Sequence, residues 1–369
     1  MNPFKYGCIV DGDDFCARKE LSAQLLDYVR RGQNIVIQGE RRIGKSSLVY
    51  NTLKGQKKYK PIMIDLMGVK STVDICNRIA DALTRFDSSD GFFRRTMSLL
   101  AHLRPIITVD AMTGMPTISV DHSAGSAPES LAVAMNAVAS HVEDKNACVV
   151  LDEFQDVAEL KDGDQILAIM RGKIQYMNKT SFIFLGSARN QMADIFMLPS
   201  SPFYKSALVF EVGEMPVDDF YRFLAARFLT GARKLPRVLF DKMWETVSHI
   251  TGDIQELCDA IWQVSSAGMT LDDDMLQKAL AVIFAREGAA YQMFIKQLTD
   301  IQFRVLKTLA VAGGNHPNSS AFLELSHVSV HASVTRALHS LSNAGLIYPI
   351  GGQYHFASPF FKTWLSMQR

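Results

Sequence analysis

Gly39-Glu40-Arg41-Arg42-Ile43-Gly44-Lys45-Ser46-Ser47 decides the fold. It is a full G-x-x-x-x-G-K-S, preceded by Asn34-Ile35-Val36-Ile37-Gln38 and followed by Leu48-Val49-Tyr50-Asn51-Thr52-Leu53. A phosphate-binding loop requires a strand before it and a helix after it, and both flanks read that way. The residue types match the chemistry. Glycines let backbone N–H groups close around phosphate oxygens, and the helix N-terminus adds the positive end of its dipole. Lys45 can reach the β and γ phosphates, and Ser46 offers a hydroxyl ligand to Mg²⁺. All nine residues, from Gly39 to Ser47, are candidate nucleotide contacts.

Working outward, Cys148-Val149-Val150-Leu151-Asp152-Glu153-Phe154-Gln155 is an apolar strand ending in two carboxylates. Strand ends line the ligand crevice of open parallel sheets, so Asp152 suits the Mg²⁺ shell and Glu153 suits polarising an attacking water. A second apolar strand, Phe182-Ile183-Phe184-Leu185, runs into Gly186-Ser187-Ala188-Arg189. Ser187 is a candidate γ-phosphate sensor, and Arg189 a candidate fork for phosphate oxygens. The same groups also suit a turn serine and a surface charge.

Short β-branched runs alternate with helical stretches from Asn34 onward, which predicts a largely parallel sheet covered by helices. Strands are expected at 34–38, 61–66, 147–151, 181–185 and 207–212. The segment ITVDAMTGMPTISVD, centred on Thr113-Gly114, reads as a hairpin at the margin of that sheet, and HSAGSAPES after it as a polar loop. From Val217 helix succeeds helix, with Phe220, Phe223, Leu224 and Arg227 at three-to-four spacing. Beyond Thr299 the order is helix, loop, short helix, helix, strand LIYPI, Gly351-Gly352 and strand QYHF, the succession of a winged helix-turn-helix. The expected division is an α/β core over 1–215, a helical lid over 216–298 and a winged helix over 299–369.

Bulk composition narrows the function classes. The chain has 369 residues, 48% of them hydrophobic, enough for two or three domains. Lys+Arg 39 against Asp+Glu 38 leaves no bulk field for nucleic acid or a membrane surface, so any such partner needs a local patch. Five scattered cysteines (Cys8, Cys16, Cys76, Cys148, Cys258) form no metal-ligand spacing and fit buried thiols in a reducing compartment. The N-terminal segment lacks a signal-peptide pattern and no apolar run is long enough to span a bilayer, so the expectation is a cytoplasmic protein without a membrane partner.

These segments together resemble the archaeal ATPases, a prokaryotic P-loop family placed near the AAA+ and STAND groups. The resemblance runs through GDDFCARKEL, GERRIGKSSL, VVLDEFQDV, MRGKIQ, FIFLGSARNQMADIF, SPFYKSALVFEV and GLIYPIGGQYHFASPFFKTWL. It implies an AAA+-like five-stranded P-loop NTPase core, a helical lid, a C-terminal winged helix, and ATP with Mg²⁺ as cofactors. It also implies that Phe15, Arg18 and Glu20 lead into the adenine side, and that Arg171 completes a neighbour's site in a homo-oligomer. Lys205 stands where arginine is usual. The segment TGDIQELC lacks the proline of the corresponding T-G-G-x-P stretch, which leaves Gly252 as a hinge candidate.

A nucleotide site says what energy is used, not what it is used for. One reading is an ATPase whose hydrolysis times loading or remodelling on DNA through the winged helix. The other is a nucleotide-gated switch or scaffold whose winged helix binds protein. A small-molecule kinase fits less well, because no acceptor pocket is evident. Over 301–356 there are three cations (Arg304, Lys307, Arg336), one acid (Glu324) and five histidines, a sparse footprint for DNA.

Overall fold

The computed structural model describes residues 1–16, 18–56, 59–86, 89–101, 105–109, 116–120, 127–142, 147–186 and 189–368. The chain divides into two compact units: Ile9–Gly213, and Met1–Cys8 together with Glu214–Arg369.

The first unit is an α/β core. Helix α1 (Lys19–Arg30) leads into β1 (Ile35–Gln38), α2 (Lys45–Lys54), β2 (Lys60–Asp65), α3 (Thr72–Phe86) and α4 (Asp90–Leu99). The hairpin β3 (Pro105–Val109) and β4 (Pro116–Val120) comes next, then α5 (Ala127–Val142), β5 (Ala147–Asp152), α6 (Gly163–Ile174), β6 (Ser181–Gly186), α7 (Arg189–Met197) and β7 (Leu208–Glu211). Five strands form one parallel sheet in the order β2-β5-β6-β1-β7. Strands β1 and β6 are buried throughout, and β5 is buried up to its last residue. That is why all three read as unbroken apolar runs rather than alternating ones.

Strand alternation still sorts their side chains between two faces. Ile35, Ile37, Val150, Ile183 and Leu185 share one core with Leu48 and Leu53 of α2 and Leu25 of α1. Val36, Val149, Leu151, Phe182 and Phe184 share the other with residues of α3, α5, α6 and α7. Phe154, Phe184, Phe196 and Phe203 interlock there at centroid distances of 4.8 to 5.9 Å, the separations that aromatic pairs favour.

Two expectations are corrected. The hairpin exists, but it is a two-stranded sheet of its own rather than part of the main sheet's margin. Strand β4 packs against α3. The turn at Thr113-Gly114 lies outside the described residues, as does 122–126 of the expected polar loop. The rest of that loop, Ala127 to Ser130, is the first turn of α5.

The second unit is helical. It runs through α8 (Val217–Leu229), α9 (Arg237–Thr246), α10 (Thr251–Val264), α11 (Asp273–Lys296), α12 (Asp300–Ala312), α13 (Ser320–Ser326), α14 (His331–Asn343), β8 (Ile347–Ile350), β9 (Gln353–Phe356) and α15 (Pro359–Met367). Met1–Cys8 belongs here because Phe4 packs on Phe228 and Trp262, at 4.6 and 6.1 Å, and Arg227 donates to the Pro3 carbonyl at 2.6 Å. Gly252 sits in the first turn of α10.

Helix starts in the last third are written locally. Thr299 and Gln302 form a reciprocal capping box on α12, and Ser319 and Ser358 cap α13 and α15. Helices α12, α13 and α14, with the antiparallel β8–β9 pair after them, form the winged helix. Its wing turns at Gly351-Gly352, both at positive φ. The Tyr291 ring of α11 lies 5.0 Å from Phe361 and 5.4 Å from Trp364, tying α15 back to α11.

Candidate nucleotide site

The loop after β1 turns through Arg42 at φ 62° and Gly44 at φ 96° before α2 begins at Lys45. A left-handed residue directly before the helix suits glycine, and here it aims the first helical N–H groups into the loop. Gly39 meets a different demand. A Cβ there would sit 2.5 Å from the Val212 carbonyl oxygen, so only glycine lets the loop leave the sheet beside β7. Lys45 is 7% exposed. Its Nζ donates to the carbonyls of Gly39 at 3.1 Å and Glu40 at 2.9 Å, which places the ammonium inside the loop's curve. Arg41 and Arg42 are exposed, whereas Ile43 and Ser47 are buried. Ser47 Oγ accepts from the Val10 N–H at 3.2 Å, and Asn51 Nδ2 donates to the Val10 and Ser47 carbonyls at 2.7 Å.

Strand β5 brings Asp152 to this loop. Ser46 Oγ donates to Asp152 Oδ2 at 2.7 Å across 106 positions of sequence. The other oxygen, Oδ1, accepts from the Glu153 backbone N–H at 3.0 Å. Burial pushes the Asp152 carboxyl above its ordinary range, the charges of Glu153 and Asp65 add to the rise, and the Ser46 hydroxyl opposes it. A hydroxyl and a carboxylate oxygen, side by side at a phosphate loop, are the hard donors Mg²⁺ takes, and a cation there would favour the charged carboxylate. Among the described residues no group of three or more His, Cys, Asp or Glu is placed to hold a metal. An ion here would therefore depend on this pair and on nucleotide phosphates.

Glu153 stands at φ 50°, left-handed for a non-glycine residue, and opens the 3-10 turn Phe154–Val157. Such a conformation is costly and is often found at functional sites. Glu153 Oε2 accepts from Gln155 Nε2 at 2.6 Å. Gln155 is a contact that the sequence reading missed. The only signal was its place two residues after Glu153, and the contact depends on a backbone turn that a strand pattern does not reveal.

The remaining candidates are more scattered. Ser187 lies outside the described residues, and Arg189 is the first residue of α7. Arg171 is half-buried in the last turn of α6. Asp164 occupies the first turn, about 10 Å away along the axis at 1.5 Å per residue, too far for an i,i+4 pair. Arg18 is buried; Nη1 donates to the Gly213 carbonyl at 2.6 Å and Nη2 to the Ile43 carbonyl at 3.0 Å, tying the phosphate loop to the chain beyond β7. Burial brings its guanidinium down to about 10.

Comparison with known proteins bears on this geometry at the level of fold. Residues 289–367 match the family described as "Probable winged helix domain". No curated protein matches the sequence. Among solved structures, a Walker-type ATPase of Pyrococcus abyssi is similar with a TM-score of 0.68 at 16% identity, over 99% of this chain and 100% of that one. The Aeropyrum pernix ORC1 protein, solved in complex with DNA, gives 0.54 at 12% identity over 96% and 93% of the two chains. The ADP form of Aeropyrum pernix ORC2 gives 0.52 at 13% identity over 99% and 98%. The fold is therefore that of the archaeal-type P-loop ATPases, an α/β core with a parallel five-stranded sheet and a C-terminal winged helix.

Proposed function

We propose that this chain binds ATP with Mg²⁺ in the loop Gly39 to Ser47 and hydrolyses it to ADP and phosphate, the bound nucleotide controlling assembly or remodelling in the manner of AAA+ and STAND proteins. The observation that carries the reading is the 2.7 Å bond from Ser46 to Asp152, which joins the phosphate loop to the acidic strand end. Lys45 neutralises phosphate charge, Ser46 and Asp152 hold the cation, and Glu153 takes a proton from the attacking water. Mg²⁺, when bound, supplies charge stabilisation at the phosphate oxygens. Ser187 and Arg189, which follow β6 in the sequence, are assigned the roles of γ-phosphate sensor and phosphate fork. Replacing Glu153 by Gln keeps shape and removes the base, so phosphate release should fall by on the order of a hundredfold or more while ATP still binds. Turnover near that of the parent would refute the assignment of Glu153.

The reading includes a homo-oligomer in which Arg171 serves a neighbour's nucleotide, and a division of the helical unit into a lid over 216–298 and the winged helix over 299–369. An arginine in trans can raise turnover by about a thousandfold or more. Arg171→Ala should then bind ATP normally, hydrolyse it poorly, and regain activity when mixed with Lys45→Ala protein. Unchanged turnover in the single variant would remove Arg171 from the site.

For the winged helix, the exposed face of α14 favours a protein partner over DNA. That face carries His331, Thr335, Arg336 and His339, and Gly351, Gly352 and Gln353 at the tip of the wing add no cation. Arg304 is already held by Asp300 at 2.7 Å and donates to the His327 carbonyl at 2.9 Å. Mass measurement of Glu153→Gln protein with ATP, with and without duplex DNA, separates the two partners. ATP-dependent assembly that ignores DNA supports the protein partner, and assembly that requires DNA reverses the choice. Among the described residues no helix is long and apolar enough to cross a membrane.

A further inference from the structure

We propose that Gln155 is a positioning residue for Glu153: its side-chain amide holds the carboxylate that activates water and braces it against the end of β6. This rests on the hydrolytic reading and adds a residue to it.

Gln155 is 4% exposed. Its Nε2 lies 2.6 Å from Glu153 Oε2 and 2.9 Å from Asp156 Oδ1. Carboxylate oxygens accept hydrogen bonds and the amide NH₂ donates them, so the NH₂ end of the amide faces the two carboxyl groups. The orientation is thereby fixed, and Oε1 points the other way. Among the described residues it is buried without a hydrogen-bond partner, and it lies against Gly186. A Cβ on Gly186 would stand 2.7 Å from it, and 2.4 Å from Met192 Cγ.

Gly186 ends β6, directly before Ser187, and its register partner on β1 is Gln38, directly before Gly39 of the phosphate loop. Gln38 is also buried, and its Nε2 has no partner among the described residues. Residues two apart on a strand share a face, so Gln38 and Gly186 lie on the side of Val36 and Phe184, the same core that holds Phe154. Among the described residues, one unpaired acceptor and one unpaired donor thus lie on the face of the sheet whose core is otherwise apolar. Burying amide groups unpaired is costly, and an apolar side chain of similar size would avoid the cost. The compensation at Gln155 is its hold on Glu153, whose left-handed backbone turns the carboxylate toward it.

Residues that act as one unit lose their effects non-additively, which a merely structural residue does not show. Turnover at saturating ATP and Mg²⁺ is measured for the whole chain, Gln155→Met, Glu153→Gln and the double variant, with ATP affinity by calorimetry for each. Gln155→Met should lower turnover about tenfold in the parent, keep affinity within about twofold, and change the Glu153→Gln protein by less than about twofold. Equal losses in both backgrounds, or no loss, would overturn the proposal. Gln155→Glu keeps the size should Gln155→Met fail to fold. Ionised, its new carboxylate cannot donate and repels Glu153 and Asp156, so its turnover should fall about tenfold or more with affinity kept within about twofold. Turnover near that of the parent would overturn the proposal as well. Absence of ATP binding in the parent would be a failure of the nucleotide reading itself, which the calorimetry reports separately.

Discussion

Helices α2 and α14 are built to opposite rules. In α2 the first turn buries polar groups: Lys45 and Ser47 are 7% and 8% exposed, and both are engaged in hydrogen bonds. In α14 the buried residues are Val334, Ala337, Leu338 and Leu341, all apolar, while His331, Thr335, Arg336 and His339 face solvent. Packing alone accounts for α14. It does not account for α2, because burying an ammonium is costly unless its partners are in place. The informative residues are therefore the polar ones that the fold encloses, and α14 carries less functional information than a helix that holds a charge.

The comparison would break first at Lys45. Lys45→Ala removes the cation that the loop encloses, and ATP affinity should fall by about a hundredfold or more, the scale of a strong charge-assisted contact at about 1.4 kcal/mol per tenfold. Equal affinity by calorimetry would make the enclosed lysine a structural feature only.

Asp152 sharpens the contrast through stability. Its carboxyl is raised, chiefly by burial. The folded state therefore holds the proton more tightly than the unfolded chain, and the stability it contributes is lost as pH rises from the ordinary carboxylate range through the folded value. Asp152→Asn removes that loss. Without nucleotide, the variant should melt higher at neutral pH by on the order of 1–2 °C, and the margin should shrink as the pH is lowered toward about 4. The same variant should lose the Mg²⁺ dependence of ATP binding. A lower melting temperature at neutral pH would show that Asp152 is a stabilising partner of Ser46.

At α14 the expected effect is smallest. Arg336 donates to the Ala332 carbonyl of its own helix at 3.2 Å, and Arg336→Ala should change retention on duplex DNA by less than about twofold. A fall in the salt slope of DNA binding by about one would instead show a phosphate contact.

The same division separates the features that were legible in the sequence from those that were not. All five main strands were legible: β1, β5 and β6, buried on both faces, read as apolar runs, the partly exposed edge strands β2 and β7 read as short β-branched segments, and the phosphate loop marks where β1 ends and α2 begins. Residue type alone singles out Ser46 and Asp152 as candidate cation ligands, and the structure brings the two within hydrogen-bond distance. The separate sheet of β3 and β4 was not legible, since alternation shows that a hairpin forms but not what it pairs with. The start of α5 was misread through Ala127-Pro128-Glu129-Ser130, although a proline and an acid in the first turn are helix-start signals. The attachment of Phe4 to Phe228 and Trp262 lies more than two hundred positions away in sequence, and Gln155 reaches Glu153 only because of a left-handed turn. Neither leaves a periodic trace.

The central claim is that Lys45, Ser46 and Asp152 form one nucleotide–cation site. Calorimetric titration of ATP into the protein, once with Mg²⁺ and once with the cation chelated, tests it most directly. The account predicts one site per chain, with affinity clearly weaker when the cation is withheld, and no such weakening in Asp152→Asn. Absence of binding in both conditions, or binding indifferent to Mg²⁺ in the parent protein, would contradict it.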